Sequence, residues 1–279
     1  MIQVPPIDCE RVAANITTWI TAKAQKAEAS GAVVGLSGGI DSAVTAKLCA
    51  AAFGGEVLAL ILPDDVTMGE VEEAKKLASV LGIRQEVIPL MDIIKAFLPR
   101  CTGDRKALGN VKARIRMILL YNRANCLNRL VVGSGNKSEL LLGYFTKYGD
   151  GGCDLLPLGD LYKTQVWELA AYLKIPREVR EKKPSAGLWE GQTDEAELGL
   201  SYETLDRVLG GLARSLSMED IAKDTGLSLS EVRRVAAMVD RSAHKRALPP
   251  YPLLNRANER SMNRGMVRKR GKWGVDARK

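Results

Sequence analysis

Between residues 32 and 133 the chain alternates short apolar runs with longer amphipathic stretches, and this alternation constrains the fold more than any other feature. Runs rich in β-branched and aliphatic residues recur at 32–36, 57–62, 86–90 and 130–133. Helical spacing of apolar residues fills 42–53, 67–81 and 111–127 between them. Parallel strands cannot be joined by tight turns. They need crossovers, and the crossovers here have the length and periodicity of helices. The pattern therefore predicts an α/β fold, a parallel sheet flanked by helices on both faces. Ligands of such sheets sit beyond the carboxyl ends of the strands, so functional residues are expected immediately after each run. The segments there are "LSGGIDS", "LPDDVT" and "GSGNKSE". Ser42 and either Asp65 or Thr67 are the expected helix starts.

After Leu142 the texture changes. Two glycine- and charge-rich stretches, "GYFTKYGDGGCDLLPLGDLYKTQ" and "EKKPSAGLWEGQTDEAELGLSYE", carry few apolar anchors, and loops of that length in a compact domain usually serve a site. Additional C-terminal helices are expected at 164–173, 202–209, 218–224 and 229–242.

The chain has 279 residues, 46% of them hydrophobic and 27% charged, an ordinary composition for a globular protein. There is no apolar run of transmembrane length and no leader pattern at "MIQVPPIDCE", which gives a cytoplasmic expectation and no membrane partner. The five cysteines, Cys9, Cys49, Cys101, Cys126 and Cys153, are never spaced as a Cys-x-x-Cys pair, so neither a zinc ribbon nor a disulfide framework is expected. A single histidine, His244, excludes zinc sites built from several imidazoles. The net charge of +8 is concentrated: residues 255–279 carry nine Lys and Arg against Glu259 and Asp276, a net +7. The expected division is one domain, 1–254, followed by a basic tail, 255–279, with nucleic acid not expected as a partner because the body is near neutral.

The string "AVVGLSGGIDSAV", residues 32–44, joins a strand to a helix through a glycine-rich turn. Free backbone N–H groups and the positive end of the helix dipole favour an anion there. The Gly-Lys-Ser/Thr ending of the common triphosphate loop is missing, and Asp41 stands in its place. A carboxylate beside phosphates is repelled unless a divalent cation lies between them, which makes Asp41 a hard oxygen ligand for magnesium on a polyphosphate.

"SGGIDS" resembles the signature of the ATP pyrophosphatases, which implies the adenine nucleotide α-hydrolase-like, Rossmann-like version of the fold and a reaction that transfers AMP and releases pyrophosphate. Several activities share that loop. The further strings "NVKARIRM", "VVGSGNKSELLLGYFTKYGDGGCDLLPLGDLYKTQV", "KKPSAGLWEGQTDEAELGLSYETLD" and "HKR" resemble the ammonia-dependent NAD synthetase branch, over about residues 33–250. The resemblance implies a ligase that amidates deamido-NAD to NAD with ammonia and ATP through a deamido-NAD adenylate. It also implies a homodimer with the dinucleotide near the interface. A glutamine-using nitrilase-like domain is not expected.

Carried onto this sequence, the resemblance gives ATP contacts to Gly35, Leu36, Ser37, Gly38, Gly39, Ile40, Asp41 and Ser42, and to Ser134, Lys163 and Ser185. It gives magnesium to Asp41 and Glu139. Deamido-NAD falls to Arg114 or Arg116, Lys147, Asp154, His244 and Lys245. The two arginines lie on different sides of a helix, and the sequence does not choose between them. Lys163 would neutralise the leaving pyrophosphate, and Asp154 is a candidate for positioning or deprotonating ammonium, so Asp41, Lys163 and Asp154 form the expected catalytic set. A dimer face is expected on the helix at 111–127, through Met117, Leu120 and Leu127.

One rival belongs to a different class. "SMEDIAKDTGLSLSEVRRVAAMV", residues 217–239, reads as helix, glycine turn and second helix, the pattern of a DNA-binding helix-turn-helix. Its candidate recognition helix offers only Arg233 and Arg234, with no Asn or Gln to read adenine. Such hairpins are also common as plain packing units.

Overall fold

The computed structural model describes residues 2–252. The basic tail expected at 255–279 lies outside the described residues. By its internal contacts the chain forms one unit over 1–246, and 247–252 belong to a second. The sheet, the helices and the site all belong to the first unit.

Four parallel strands, β1 (Ala32–Gly35), β2 (Val57–Ile61), β3 (Arg84–Val87) and β4 (Leu130–Val132), form one sheet in the order β3-β2-β1-β4. Among the described residues twelve helices accompany them: α1 (Cys9–Lys26), α2 (Ile40–Phe53), α3 (Val71–Leu81), α4 (Met91–Phe97), α5 (Arg105–Leu127), α6 (Lys137–Leu142), α7 (Lys163–Tyr172), α8 (Arg177–Arg180), α9 (Asp194–Leu198), α10 (Tyr202–Ala213), α11 (Met218–Thr225) and α12 (Leu229–Arg241). The alternation of side chains along each strand divides the core. Ala32, Val34, Val57, Ala59, Ile61 and Val132 face α1, α2, α3 and α7. Val33, Leu58, Leu60 and Val131 face α4 and α5. Both faces are covered, which is why the strands read as continuous apolar runs. A further apolar cluster, with Leu142, Tyr202, Leu205, Ile221, Val232 and Val235, joins α6 to α10, α11 and α12.

Several boundaries differ from expectation for identifiable reasons. β3 begins two residues earlier than the apolar run at 86–90, because this edge strand has one paired neighbour and carries Arg84, Gln85 and Glu86 outward. Ile88 and Leu90 still donate to Ile61 and Pro63 beyond the strand end. Helix α2 starts at Ile40 with Gly39 as its cap, so Ser42 lies inside it. Before α3, Thr67 stands at the N-cap of a 3₁₀ turn, Met68–Glu70, that runs into the helix, with no side-chain bond to its amides, and the Asp64 carboxylate accepts from the amides of Val66 and Thr67, both at 3.1 Å. Helix α1 has no counterpart among the expected elements, although Asp8 caps it and Ile20 and Ala24 are buried in the core.

Helix α5 overturns the expected dimer face. Met117 and Leu120 are buried against the sheet, and Leu127 packs on the same cluster. The apolar stripe read from the sequence is this helix's core face, and the exposed large apolar residue is Ile118. The helix-turn-helix pattern is likewise a packing hairpin: Ile221, Val232 and Val235 are buried, and Arg234 donates to the Leu198 carbonyl at 2.8 Å.

Candidate active site

The sheet order places β1 and β4 side by side although the chain visits β2 and β3 between them. The point where the path reverses is the switch point at which open α/β sheets bind ligands. The loops after β1 and β4 open there onto one cavity of about 420 Å³.

The first loop is shaped by Gly38, whose φ of 77° is a left-handed value costly for any other residue. The turn brings Gly39 to the N-cap of α2 with no side chain bonded to the helix amides, so those donors remain for an anion. The Ser37 and Ser42 hydroxyls lie 3.1 Å apart, and Ser42 donates to the Gly39 carbonyl at 2.8 Å. Gly35, Leu36, Ser37, Gly39, Ile40, Asp41 and Ser42 all line the cavity, whereas Gly38 supplies the turn without lining it.

The second loop approaches through Gly133, where a Cβ would come within 2.4 Å of the Cys153 sulfur. Ser134 follows on the cavity wall. Asn136 then caps α6 in a reciprocal arrangement, its side chain accepting from the Glu139 amide and the Glu139 carboxylate accepting from the Asn136 amide, each at 3.0 Å. Glu139 is thus a helix-start glutamate and a cavity residue together. The Asn136 amide group also donates to Asp41 at 3.0 Å, tying the two loops across the switch point.

Lys163 completes this centre from the start of α7. Its ammonium forms an ion pair with Asp41 and lies 4.0 Å from Glu139, with only 2% of its side chain exposed. Buried Asp206 sets its position: the carboxylate accepts from the Ser138 hydroxyl and from the Thr164 amide and hydroxyl, the latter two at 2.9 Å, while the Ser138 hydroxyl accepts from the Lys163 amide at 3.0 Å. Burial alone would lower the affinity of Lys163 for its proton. Asp41, then Glu139, outweigh that and hold it above the usual lysine range. Burial and the neighbouring Asp41 push the Glu139 carboxyl well above the ordinary glutamate range, with Lys163 opposing.

On the α5 side the structure separates the two arginines. Arg116 lines the cavity. It is held by the Leu62 carbonyl and by Asp64, both at 3.1 Å. Asp64 is fully buried and also pairs with Lys112 at 3.1 Å. Burial raises the Asp64 carboxyl, but Arg116, Lys112 and the Thr67 amide together hold it below the usual aspartate range. Arg114 is exposed and donates to the Lys147 carbonyl at 3.3 Å.

The other residues carried over for deamido-NAD divide the same way. Lys245 lines the cavity while bonding the Gly143 and Phe145 carbonyls at 2.7 and 2.8 Å. Lys147 reaches the His244 carbonyl at 2.7 Å, so Arg114, Lys147 and His244 form a connected group outside the cavity wall. Asp154 lies outside it too, its carboxylate accepting from the Tyr121 hydroxyl at 2.9 Å and the Val131 amide at 2.8 Å. Ser185 is on the wall.

Some residues of the site are not singled out by their sequence context. Asp64 stands inside "LPDDVT" with nothing to distinguish it from its neighbour. Asn136 is legible as the first residue of an Asn-x-x-Glu capping box. Lys182 joins Glu70 at 2.8 Å and lies beside Gly38, and the Arg105 guanidinium stacks 4.6 Å from the Trp189 ring centre. Asp194 and Tyr202, joined by a 3.0 Å hydrogen bond, lie within the string "KKPSAGLWEGQTDEAELGLSYETLD".

Asp41 and Glu139 fit a magnesium ion as a donor set. They are hard oxygens converging on one ammonium. Magnesium is commonly bound through one or two carboxylates, with waters and substrate phosphates filling the rest of its shell.

The chain is similar to known proteins over most of its length. The NAD synthase model matches residues 12–249. The NH(3)-dependent NAD(+) synthetase of Methanosarcina acetivorans is 50% identical over 255 residues, 89% of this chain and 100% of that protein. Among solved structures, the NMN synthetase of Francisella tularensis is 36% identical with a TM-score of 0.78, covering 88% of this chain and 99% of that one. The NH3-dependent NAD synthetase of Campylobacter jejuni, in complex with the nitrate ion, is 32% identical with a TM-score of 0.76, covering 88% of this chain and 100% of that one. The likeness runs along nearly the whole length of these relatives and takes in both the glycine-rich loop after β1 and the segments that carry the carboxylate-lysine centre, and the chain belongs to the NAD synthase family.

Proposed function

We infer that this chain is an ammonia-dependent ligase that amidates deamido-NAD to NAD, consuming ATP and releasing AMP and pyrophosphate. The observation that carries this is the end-to-end match to an NH(3)-dependent NAD(+) synthetase at 50% identity. A carboxylate is a poor acyl donor, so the nicotinate carboxylate must first attack the α-phosphorus of ATP. Ammonia then attacks the carbonyl carbon of the adenylate, and the bond to AMP breaks.

The amides at the start of α2, with Ser37 and Ser42, receive the β- and γ-phosphates, and Ser134 and Ser185 add donors. Lys163 faces the charge that grows on departing pyrophosphate, in a buried setting where such stabilisation is strong. Magnesium, with Asp41 and Glu139 as its protein ligands, would neutralise phosphate charge when bound. Arg116 and Lys245 meet the deamido-NAD portion inside the cavity. Arg114, Lys147, Asp154 and His244 contact the remainder where the dinucleotide leaves it, in a homodimer that closes over that face. The reaction is placed in the cytoplasm, and among the described residues no helix is long and apolar enough to cross a membrane.

The test is incubation with ATP, magnesium and ammonium, following AMP and amide. Deamido-NAD and nicotinate mononucleotide serve as separate acceptors, because one relative is an NMN synthetase. The expected result is preferred turnover of deamido-NAD. AMP release with neither acceptor would overturn the assignment, and preference for the mononucleotide would correct the substrate.

A further inference from the structure

One buried carboxylate meets two cations that stand a turn apart on α5. Lys112 and Arg116 each reach the same oxygen, Oδ2 of Asp64, at 3.1 Å. Asp64 has no exposed surface, and its own turn fixes its direction. Oδ1 accepts from the amides of Val66 and Thr67, both at 3.1 Å, and from the Thr67 hydroxyl at 3.0 Å. The Asp64 amide donates to that same hydroxyl at 3.0 Å. Oδ1 is thus occupied within the turn, and Oδ2 is held toward α5.

The consequence falls on Arg116, the member of the pair that lines the cavity. Its Nε donates to the Leu62 carbonyl and its Nη2 pairs with Asp64, so the Nε–Nη2 edge is turned to the segment after β2. Among the described residues Nη1 has no hydrogen-bond or ion-pair partner. A guanidinium is planar and rigid, so fixing two nitrogens aims the third, which is left to an anion. Lys112 has a second carboxylate partner in Asp65 at 3.0 Å. Arg116, among the described residues, has Asp64 alone. Like charges four residues apart on a helix repel, so without Asp64 the guanidinium loses its anchor and is pushed from Lys112. Arg114 shows the other outcome, exposed and bonded only to the Lys147 carbonyl among the described residues.

We propose that Asp64 is a positioning residue for substrate binding, holding the Arg116 guanidinium by one edge so that Nη1 is presented to an anionic oxygen of deamido-NAD. This rests on the amidation reading above, in which Arg116 meets that substrate. A guanidinium ordered in the free protein need not be ordered on binding. The contact is made equally by bound substrate and transition state, so its loss appears in KM and not in kcat.

The experiment measures amide formation by wild type, Asp64→Asn, Arg116→Gln and the double variant, with ammonium and magnesium saturating. Asp64→Asn should raise the KM for deamido-NAD about 3- to 10-fold, the range for ordering one rotamer-rich side chain, and leave kcat and the KM for ATP unchanged. Arg116→Gln should raise it further, and the double variant should be no worse than Arg116→Gln alone, because Asp64 acts through that guanidinium. Additive effects overturn the proposal, as does an unchanged deamido-NAD KM or a parallel rise in the KM for ATP. With KM raised, product inhibition by NAD, which keeps the pyrophosphate and lacks the carboxylate, identifies the oxygen: a Ki that rises in step assigns it to the pyrophosphate, and a constant Ki to the carboxylate. Should Asp64→Asn fail to fold by near-ultraviolet circular dichroism, Asp64→Glu decides the matter, since it keeps the charge and moves the carboxylate. A raised deamido-NAD KM with the KM for ATP unchanged supports the positioning role, and an unaltered one overturns it. Absence of amide formation in the wild type would instead refute the amidation reading itself, and this inference with it.

Discussion

The ammonium of Lys163 stands between Asp41 and Glu139, paired with the first and 4.0 Å from the second. A lysine that we propose faces the ATP phosphates therefore neutralises, in the free protein, the two carboxylates that would hold magnesium. The three side chains come from the starts of α2, α6 and α7, so the pairing also fastens the elements that build the site.

Replacing Lys163 by Gln should harm both folding and turnover. It leaves two partly buried carboxylates without their cation, and breaking such a pair from one side costs up to about 3–5 kcal/mol. Urea unfolding should show a loss of that order, and the variant should unfold less readily when magnesium is added, since the ion can occupy the space between the carboxylates. A variant as stable as wild type would contradict the role given to the pair.

Asp41→Asn and Glu139→Gln should cut turnover by at least ~10²-fold, about 2.7 kcal/mol in the barrier, because each removes a hard ligand from a cation that screens phosphate charge. Neither should unfold the protein. Steady-state rates over a magnesium titration, beside a circular dichroism spectrum, check this. Full activity in either variant counts against the assignment.

Stability should fall in acid in a way traceable to Asp64. Its folded-state pKa is depressed, so the unfolded chain binds the proton more readily, and the stabilisation is complete above the unfolded value near ~3.9 and lost as pH falls through the lower folded value. Urea midpoints measured from neutral pH downward should show Asp64→Asn less stable than wild type at pH ~7, with the gap closing below ~4. A gap that stays constant through that range would remove Asp64 from the account.

Ammonium, and not glutamine, should be the nitrogen source for this chain. Among the described residues no cysteine lines the cavity, and the burial-raised thiol of Cys153, at about 11, is poorly suited to nucleophilic attack. Turnover with glutamine in ammonia-free buffer should be negligible beside that with ammonium. Equal rates would show a glutaminase function that the described residues do not account for.

Much of the architecture could be read without coordinates because it depends on local periodicity. Apolar runs covered on both faces become parallel strands, and the crossovers between them become helices. Helix α1 and the first residues of the edge strand β3 escaped for the opposite reason: Ile20 and Ala24 matter through what they pack against, and Arg84 and Gln85 join the strand because β2 offers them a partner. At the site, the residue types in "SGGIDS" and "NKSE" pointed to phosphate and magnesium because backbone donors at helix starts act locally. The choice of Arg116 over Arg114 for the cavity, the reassignment of Met117 and Leu120 from surface to core, and the pairing of Asp194 with Tyr202 were decided only by tertiary structure. Each depends on which distant segment arrives opposite: Asp64 after β2, the sheet beneath α5, and Tyr202 at the head of α10. Sequence spacing records what a residue is able to do along its own element, whereas burial and charge pairing between elements are set by the way the chain closes on itself.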